Sequence, residues 1–175
     1  MQRLIAILSL TILLSLLFIP IVPAPVEEAP SSPVIEEIEE DPPAPQPWSS
    51  EEVTILAKMV WGEARGVSSI TEQAACVWCA LNRVDCGYGS IVLVVTTPYQ
   101  FVGYRESNPV DENLAALCED VLTRWYAEKA GEENVGRVLP PDYLWFSGDG
   151  YHNYFRNAYR GGNTWDWSLE SPYES

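Results

Sequence analysis

Positive charge is scarce in this chain: ten Lys and Arg stand against 25 Asp and Glu, with a single His, in 175 residues. No Lys/Arg cluster is present to neutralise phosphates, which argues against nucleic acid as a partner. Neither a Gly-rich phosphate loop nor a dinucleotide fingerprint occurs, and nothing in the sequence calls for a cofactor or a resident metal. The first 50 residues contain no cysteine, which removes the lipid-modified cysteine that a lipoprotein needs. Residues 23–47 hold seven acidic residues and no basic or aromatic one. Such a stretch buries too little apolar surface to fold. Its prolines and like charges extend it, so it reads as an acidic Pro-rich spacer.

Ahead of the spacer, Leu4–Val22 is almost purely apolar and is preceded only by Arg3 and the amino terminus. It reads as a signal peptide or an uncleaved membrane anchor. The prolines that follow (PIVPAP) hinder a signal peptidase and weigh toward the anchor. Either way the remainder is expected outside the cytoplasm, exported or tethered. The formal charge of −15 divides as +1 before the spacer, −7 within it and −9 from Trp48 on. Residues 48–175, roughly 125 in number, make one ordinary domain.

Ser49 with Glu52 forms a capping box, and Val53, Leu56, Met59 and Val60 recur at helical spacing, so a helix is predicted over about Ser50–Ala64. Ser69 with Glu72 repeats the device and opens a second helix through Val84. Its middle, AACVWCAL, is apolar all round, as a central buried helix must be. SIVLVVTTP is rich in β-branched residues; propensity favours a strand, with a short helix from Ser90 as the alternative. Asn108-Pro109 opens an amphipathic helix through Leu114, Leu117, Val121, Leu122 and Trp125 to about Ala130. YLWFSGDGYHNYF reads as two short aromatic strands joined by a Gly-Asp-Gly turn. Helices followed by a hairpin give an α+β class, mostly helical with a short antiparallel β-hairpin.

Glu63, in WGEARG, falls at the end of an apolar helical face just before a glycine-broken turn. That places a carboxylate at a cleft wall, where Trp61 and the helix body partly desolvate it and raise its pKa toward the range of a general acid. The alternative is a solvated Glu63 paired with Arg65 or Lys58.

LAKMVWGEARG, followed by AACVWCALNRV and then PYQF, resembles in order and spacing the cell wall hydrolase family that includes the spore-cortex-lytic enzymes. The match runs from about Leu56 to Phe101 and more loosely to GYHNYF. The resemblance implies a small lysozyme-like domain that cleaves the glycan strands of peptidoglycan, with Glu63 as the catalytic acid and Gln100 and Phe101 lining the groove. Two departures stand out: Val67 replaces the acidic residue common after the GEARG box, and Gly150–Phe155 is one residue longer than the family's G-x-H-x-F pattern. His152 is the site candidate from that segment. Trp61 beside Glu63, and Tyr104 among the aromatics of the last third, are further candidates for substrate contact, since flat rings pack on sugar C–H faces. Trp145, Phe146, Tyr151, Tyr154, Tyr159, Trp165 and Trp167 complete that group, of which two or three are expected to face glycan. Asn82 and Arg83 read as loop-holding residues.

A glycosidase with two carboxylates needs them about 5–5.5 Å apart for retention or about 6.5–9.5 Å for inversion. No motif marks a second acid: Glu72 reads as a cap and Asp85 as a helix-end residue. A lytic transglycosylase needs only one, so this is the expected reaction type, with a true hydrolase or a catalytically silent glycan-binding module as alternatives. Cys76, Cys79, Cys86 and Cys118 are expected as reduced, buried side chains, with a Cys86–Cys118 disulfide second. A redox-active Cys76-x-x-Cys79 is disfavoured by its place inside a helix.

Overall fold

The computed structural model of the protein describes residues 45–174. The predicted apolar segment over 1–22 and the spacer up to residue 44 lie outside the described residues. Among the described residues, no helix is long and apolar enough to cross a membrane. Helix α1 is Ser50–Ala64, and both halves of its capping box are formed: Ser49 Oγ accepts from the Glu52 amide at 3.2 Å and the Glu52 carboxylate accepts from the Ser49 amide at 2.8 Å. Two otherwise orphaned donors are thereby satisfied. The Val53, Leu56, Met59 and Val60 stripe faces inward and is buried.

Helix α2, Ile70–Asp85, packs against α1 and the two helices that follow it, which is why AACVWCAL has no polar face. Ser69 caps it by accepting from the Glu72 amide at 3.2 Å. The reciprocal half of the expected capping box is replaced. The Glu72 carboxylate turns away from Ser69 to residues 80 positions downstream, because they offer a buried amide and an imidazole.

The β-branched stretch is helix α3, Ile91–Thr96, and the strand favoured by propensity is corrected. Ser90 accepts from the Leu93 amide at 3.3 Å and starts the helix, and Ile91, Val94 and Val95 at helical spacing go into the core. Packing of that face overrides a preference of a few tenths of a kcal/mol per residue, about the spread of intrinsic propensities. Helix α4, Glu112–Lys129, begins later than Asn108-Pro109 suggested. Its cap is Asp111, whose carboxylate accepts from the Asn113 and Leu114 amides at 3.0 and 3.1 Å.

Strands β1 (Trp145–Gly148) and β2 (Asn153–Arg156) pair antiparallel, Trp145 opposite Arg156 and Gly148 opposite Asn153. The described residues are therefore mixed helical with one two-stranded hairpin, an α+β arrangement. Phe155, fully buried, carries the hairpin into the helical core and packs on Phe146 with ring centroids 5.1 Å apart. Asn82 and Arg83, at the end of α2, hold the chain that leads into β1. Asn82 Nδ2 donates to the Pro140 and Tyr143 carbonyls, and Arg83 Nε donates to that of Leu144 at 2.7 Å.

All four thiols are free; Cys76, Cys79 and Cys118 are fully buried, while Cys86, expected inside, is exposed past the end of α2. Burial pushes the Cys79 thiol up to about 12 and the Cys76 and Cys118 thiols well above their usual range, the condition of inert structural cysteines.

Candidate active site

The last turn of α1 and the chain between α3 and α4 meet backbone to backbone. At Gly62 and Gly103 a Cβ on either would run into the other's carbonyl, so neither position tolerates a side chain without the segments separating. Asn108, predicted as a helix start, instead fastens this junction: its Nδ2 donates to the carbonyls of Lys58 and Gly103, each at 3.0 Å. The Gly103 amide is thereby aimed at Glu63 and donates to Oε1 at 2.5 Å. Among the described residues, Oε2 accepts no hydrogen bond, so it is the oxygen left to carry a proton.

Burial raises the Glu63 pKa above the ordinary carboxylate range; the Gly103 amide and the guanidiniums of Arg83 and Arg105 pull it back, and burial wins. The ion pair considered as the alternative is not formed. Lys58 donates to the Glu106 carbonyl at 2.6 Å, and Arg65 reaches only the Trp61 and Gly62 carbonyls, at 3.4 and 3.5 Å.

Glu63 lines a cavity of about 210 Å³ together with Gly62, Arg65, Gly66, Val67, Gly150 and Asn153. Of the six candidate residues, Glu63 alone is in this lining. Gln100 is gripped by Arg83, whose Nη1 donates to its Oε1 at 2.8 Å and to its carbonyl at 3.1 Å. Phe101 is buried beneath the same guanidinium, 4.5 Å from the ring centroid, and tilts against Phe146. Tyr104 and Trp61 are half-buried against the core, and burial together with Glu106 raises the Tyr104 phenol pKa. His152 is exposed at the hairpin tip, with Nδ1 2.9 Å from Glu72 Oε1. Gln100, Phe101 and Tyr104 thus frame the loop that delivers Gly103 to Glu63, and His152 flanks the tip that delivers Gly150 and Asn153.

Asn153 is the cavity residue that sequence reasoning passed over. It is 3% exposed, its Nδ2 lies 3.4 Å from the Cys76 sulfur and its amide donates to Glu72 Oε2 at 2.8 Å. Its position inside GYHNYF was legible, but a strand residue beside a glycine turn carries no mark of burial. Among the other aromatics, Trp165 is structural, meeting Tyr143 edge to face and donating to the Val138 carbonyl at 3.1 Å. Tyr151 remains 76% exposed beside Gly150.

The other acids singled out as possible second carboxylates are occupied. Both oxygens of Glu72 serve the hairpin tip, and Asp85 accepts from Trp125 Nε1 at 2.9 Å and Lys129 Nζ at 2.5 Å. Among the described residues, no three His, Cys, Asp or Glu converge as metal ligands. In comparisons with known proteins, no family model, curated protein or solved structure matches the chain.

Proposed function

We propose that the protein cleaves the glycan strands of peptidoglycan as a lytic transglycosylase on a small lysozyme-like domain, with Glu63 as its single general acid and base. One observation carries the reading: among the described residues, the cavity between the hairpin and the end of α1 with the turn after it is lined by one carboxylate, and that carboxylate is desolvated with one oxygen free. A two-carboxylate hydrolase requires a partner acid across the cavity. A silent binding module has no use for an acid whose pKa is raised by burial. The motif resemblance through Leu56–Phe101 points to the same substrate.

Protonated Glu63 gives its proton to the glycosidic oxygen as the bond to the muramyl anomeric carbon breaks. The positive charge that develops on the sugar ring is met by the carboxylate just formed. Glu63 then takes the proton of the muramyl C6 hydroxyl while that oxygen bonds to the anomeric carbon. The 1,6-anhydro ring closes, Glu63 is again protonated, and no water is consumed. Arg65 at the cavity wall supplies a cation suited to the carboxylates of muramyl lactyl groups and stem peptides. An N-terminal anchor and spacer, as expected from the sequence, would hold this site at the membrane face of the wall.

Mass spectrometry of the soluble products released from purified peptidoglycan by the full chain tests the reading. Anhydromuropeptides are expected, and Glu63→Gln is expected to lower their rate by roughly 10²–10⁴, the usual worth of a positioned acid–base group. Reducing-end products would replace transglycosylation by hydrolysis. Unchanged turnover in Glu63→Gln would remove Glu63 from the chemistry.

A further inference from the structure

Glu72 is a buried acid that the proposed reaction does not use. It is 8% exposed, it belongs to the first turn of α2, and both of its oxygens reach across the fold to the hairpin tip. Oε1 meets His152 Nδ1 at 2.9 Å and Oε2 accepts from the Asn153 amide at 2.8 Å. The same tip presses on the turn that follows α1: a Cβ at Gly66 would stand 2.6 Å from the Gly150 carbonyl oxygen. Gly150 and Asn153 are the tip's two contributions to the cavity that holds Glu63. Among the described residues, the only other polar contact between β2 and α2 is the weak one from Asn153 to Cys76.

We infer that Glu72 is a positioning residue for Glu63, a clamp that seats the hairpin tip on the turn after α1 and so builds the wall of the cavity that keeps Glu63 out of water. A bidentate carboxylate suits the task because its two oxygens fix both the position and the rotation of the tip, and a carboxylate accepts about twice as strongly as a neutral group. Glu72 first, and Asp149 less strongly, raise the His152 pKa above its usual value, while Asp149 accepts from the Tyr151 and His152 amides and keeps the loop folded on itself. The role assigned to Glu72 rests on Glu63 being the acid of the proposed reaction, but its geometry is testable without substrate.

The test compares the full chain with Glu72→Ala and Glu72→Gln, reading hydrogen exchange at the Asn153 amide and the carbon-NMR titration of the Glu63 carboxyl. Glu72→Ala is expected to speed Asn153 exchange about ten- to a hundredfold, the counterpart of one hydrogen bond to a charged group. It should also bring the Glu63 titration down toward the ordinary carboxylate range as water enters. Glu72→Gln keeps an oxygen for Asn153 and an N–H for the His152 ring, so it is expected to rescue most of both readouts. Should Glu72→Ala exchange and titrate like the wild type, there is no clamp. If both variants shift the Glu63 titration equally while Asn153 stays protected, Glu72 acts by its charge through space and the positioning role is overturned. Should the Glu72→Ala chain fail to fold, His152→Ala, which removes the partner of Oε1 alone, is expected to move both readouts in the same directions by a smaller amount, and wild-type behaviour there overturns the clamp. On peptidoglycan the clamp predicts a fall in kcat with little change in KM. A wild type that releases no products but shows the expected exchange and titration sinks the proposed reaction and leaves the clamp standing.

Discussion

The helical body and the hairpin are held by different physics. In the body, Leu56, Met59, Trp78, Leu81 and Leu122 are completely buried and the helix starts are local devices: Ser49 with Glu52, Ser90, Asp111. The hairpin has two strands of four residues and one fully buried anchor, Phe155, and it relies on polar reach: Arg83 to Leu144, Asn82 to Tyr143, Glu72 to Asn153. An isolated two-stranded hairpin is marginal in water. What the contrast teaches is how the two regions share the proposed site. The body supplies Glu63 on a rigid helix end, and the less apolar hairpin supplies the wall that sets how much water Glu63 sees.

The sharpest way to break that contrast is to weaken the body alone. Leu122→Ala is expected to lower unfolding free energy by about 2–5 kcal/mol, the cost of a large-to-small change at a sealed site. Denaturant melts of the full chain would show it, while the rate per folded molecule stays near wild type. A comparable loss of rate without loss of stability would mean the site depends on the core more directly than this division allows.

At the junction between the regions, Gly103→Ala is expected to cost about 1–3 kcal/mol, as overpacking does, because the new methyl meets the Gly62 carbonyl. Unlike the core change, it should also remove activity, since separation of the two segments withdraws the amide from Glu63. Melting and product release measured on one preparation separate the two effects. A variant with full activity would show that the Gly103 amide is dispensable.

A purely local lesion comes next. Ser49→Ala removes a helix cap far in sequence from the site and is expected to cost about 0.5–2 kcal/mol with no effect on turnover. Thermal melts are the check, and a change in the pH profile of activity would contradict the assignment of Ser49 to folding alone.

The smallest effect has the opposite sign. Because the Glu63 pKa is raised in the folded chain, the folded state binds its proton more tightly than the unfolded one. Its contribution is most favourable below the unfolded pKa and is lost as pH rises through the folded value. Glu63→Gln is therefore expected to raise Tm slightly at neutral pH and to leave it nearly unchanged at pH well below 4.5, where wild-type Glu63 is also neutral. Under the proposed reaction, the same titration is expected to make activity fall as pH rises through the Glu63 pKa. Melting curves at the two pH values test the sign, and a lower Tm for Glu63→Gln at neutral pH would mean that the carboxylate stabilises the fold.

The helices could be read in advance because their information is local. A cap and an apolar stripe lie within one or two turns of each other, so α1 over Ser50–Ala64 and the all-round apolar α2 follow from neighbouring residues. The α3 segment was ambiguous for a physical reason: β-branched residues suit a strand, and only Ser90 and the burial of Ile91, Val94 and Val95 on one face decide for helix. Asn108 looked like a helix start because Asn-Pro commonly is one, whereas its amide is used across 50 residues on Lys58. Glu72 is the clearest case. By spacing it belongs to Ser69, and by structure its carboxylate belongs to His152 and Asn153.

By itself the sequence determined where α1 and α2 begin, which stripes are apolar, and that Glu63 stands at the end of one of them. Those are properties of composition and of separations of three or four residues. Tertiary structure alone decided that Gly103 serves Glu63, that Arg83 grips Gln100, that Asn153 closes the cavity, and that Glu72 works for the hairpin rather than for its own helix. Each of these joins residues 17 to 81 positions apart. At that range no periodicity exists to read, and the partner of a buried polar group is whichever group the packing of the apolar faces happens to bring within hydrogen-bond reach.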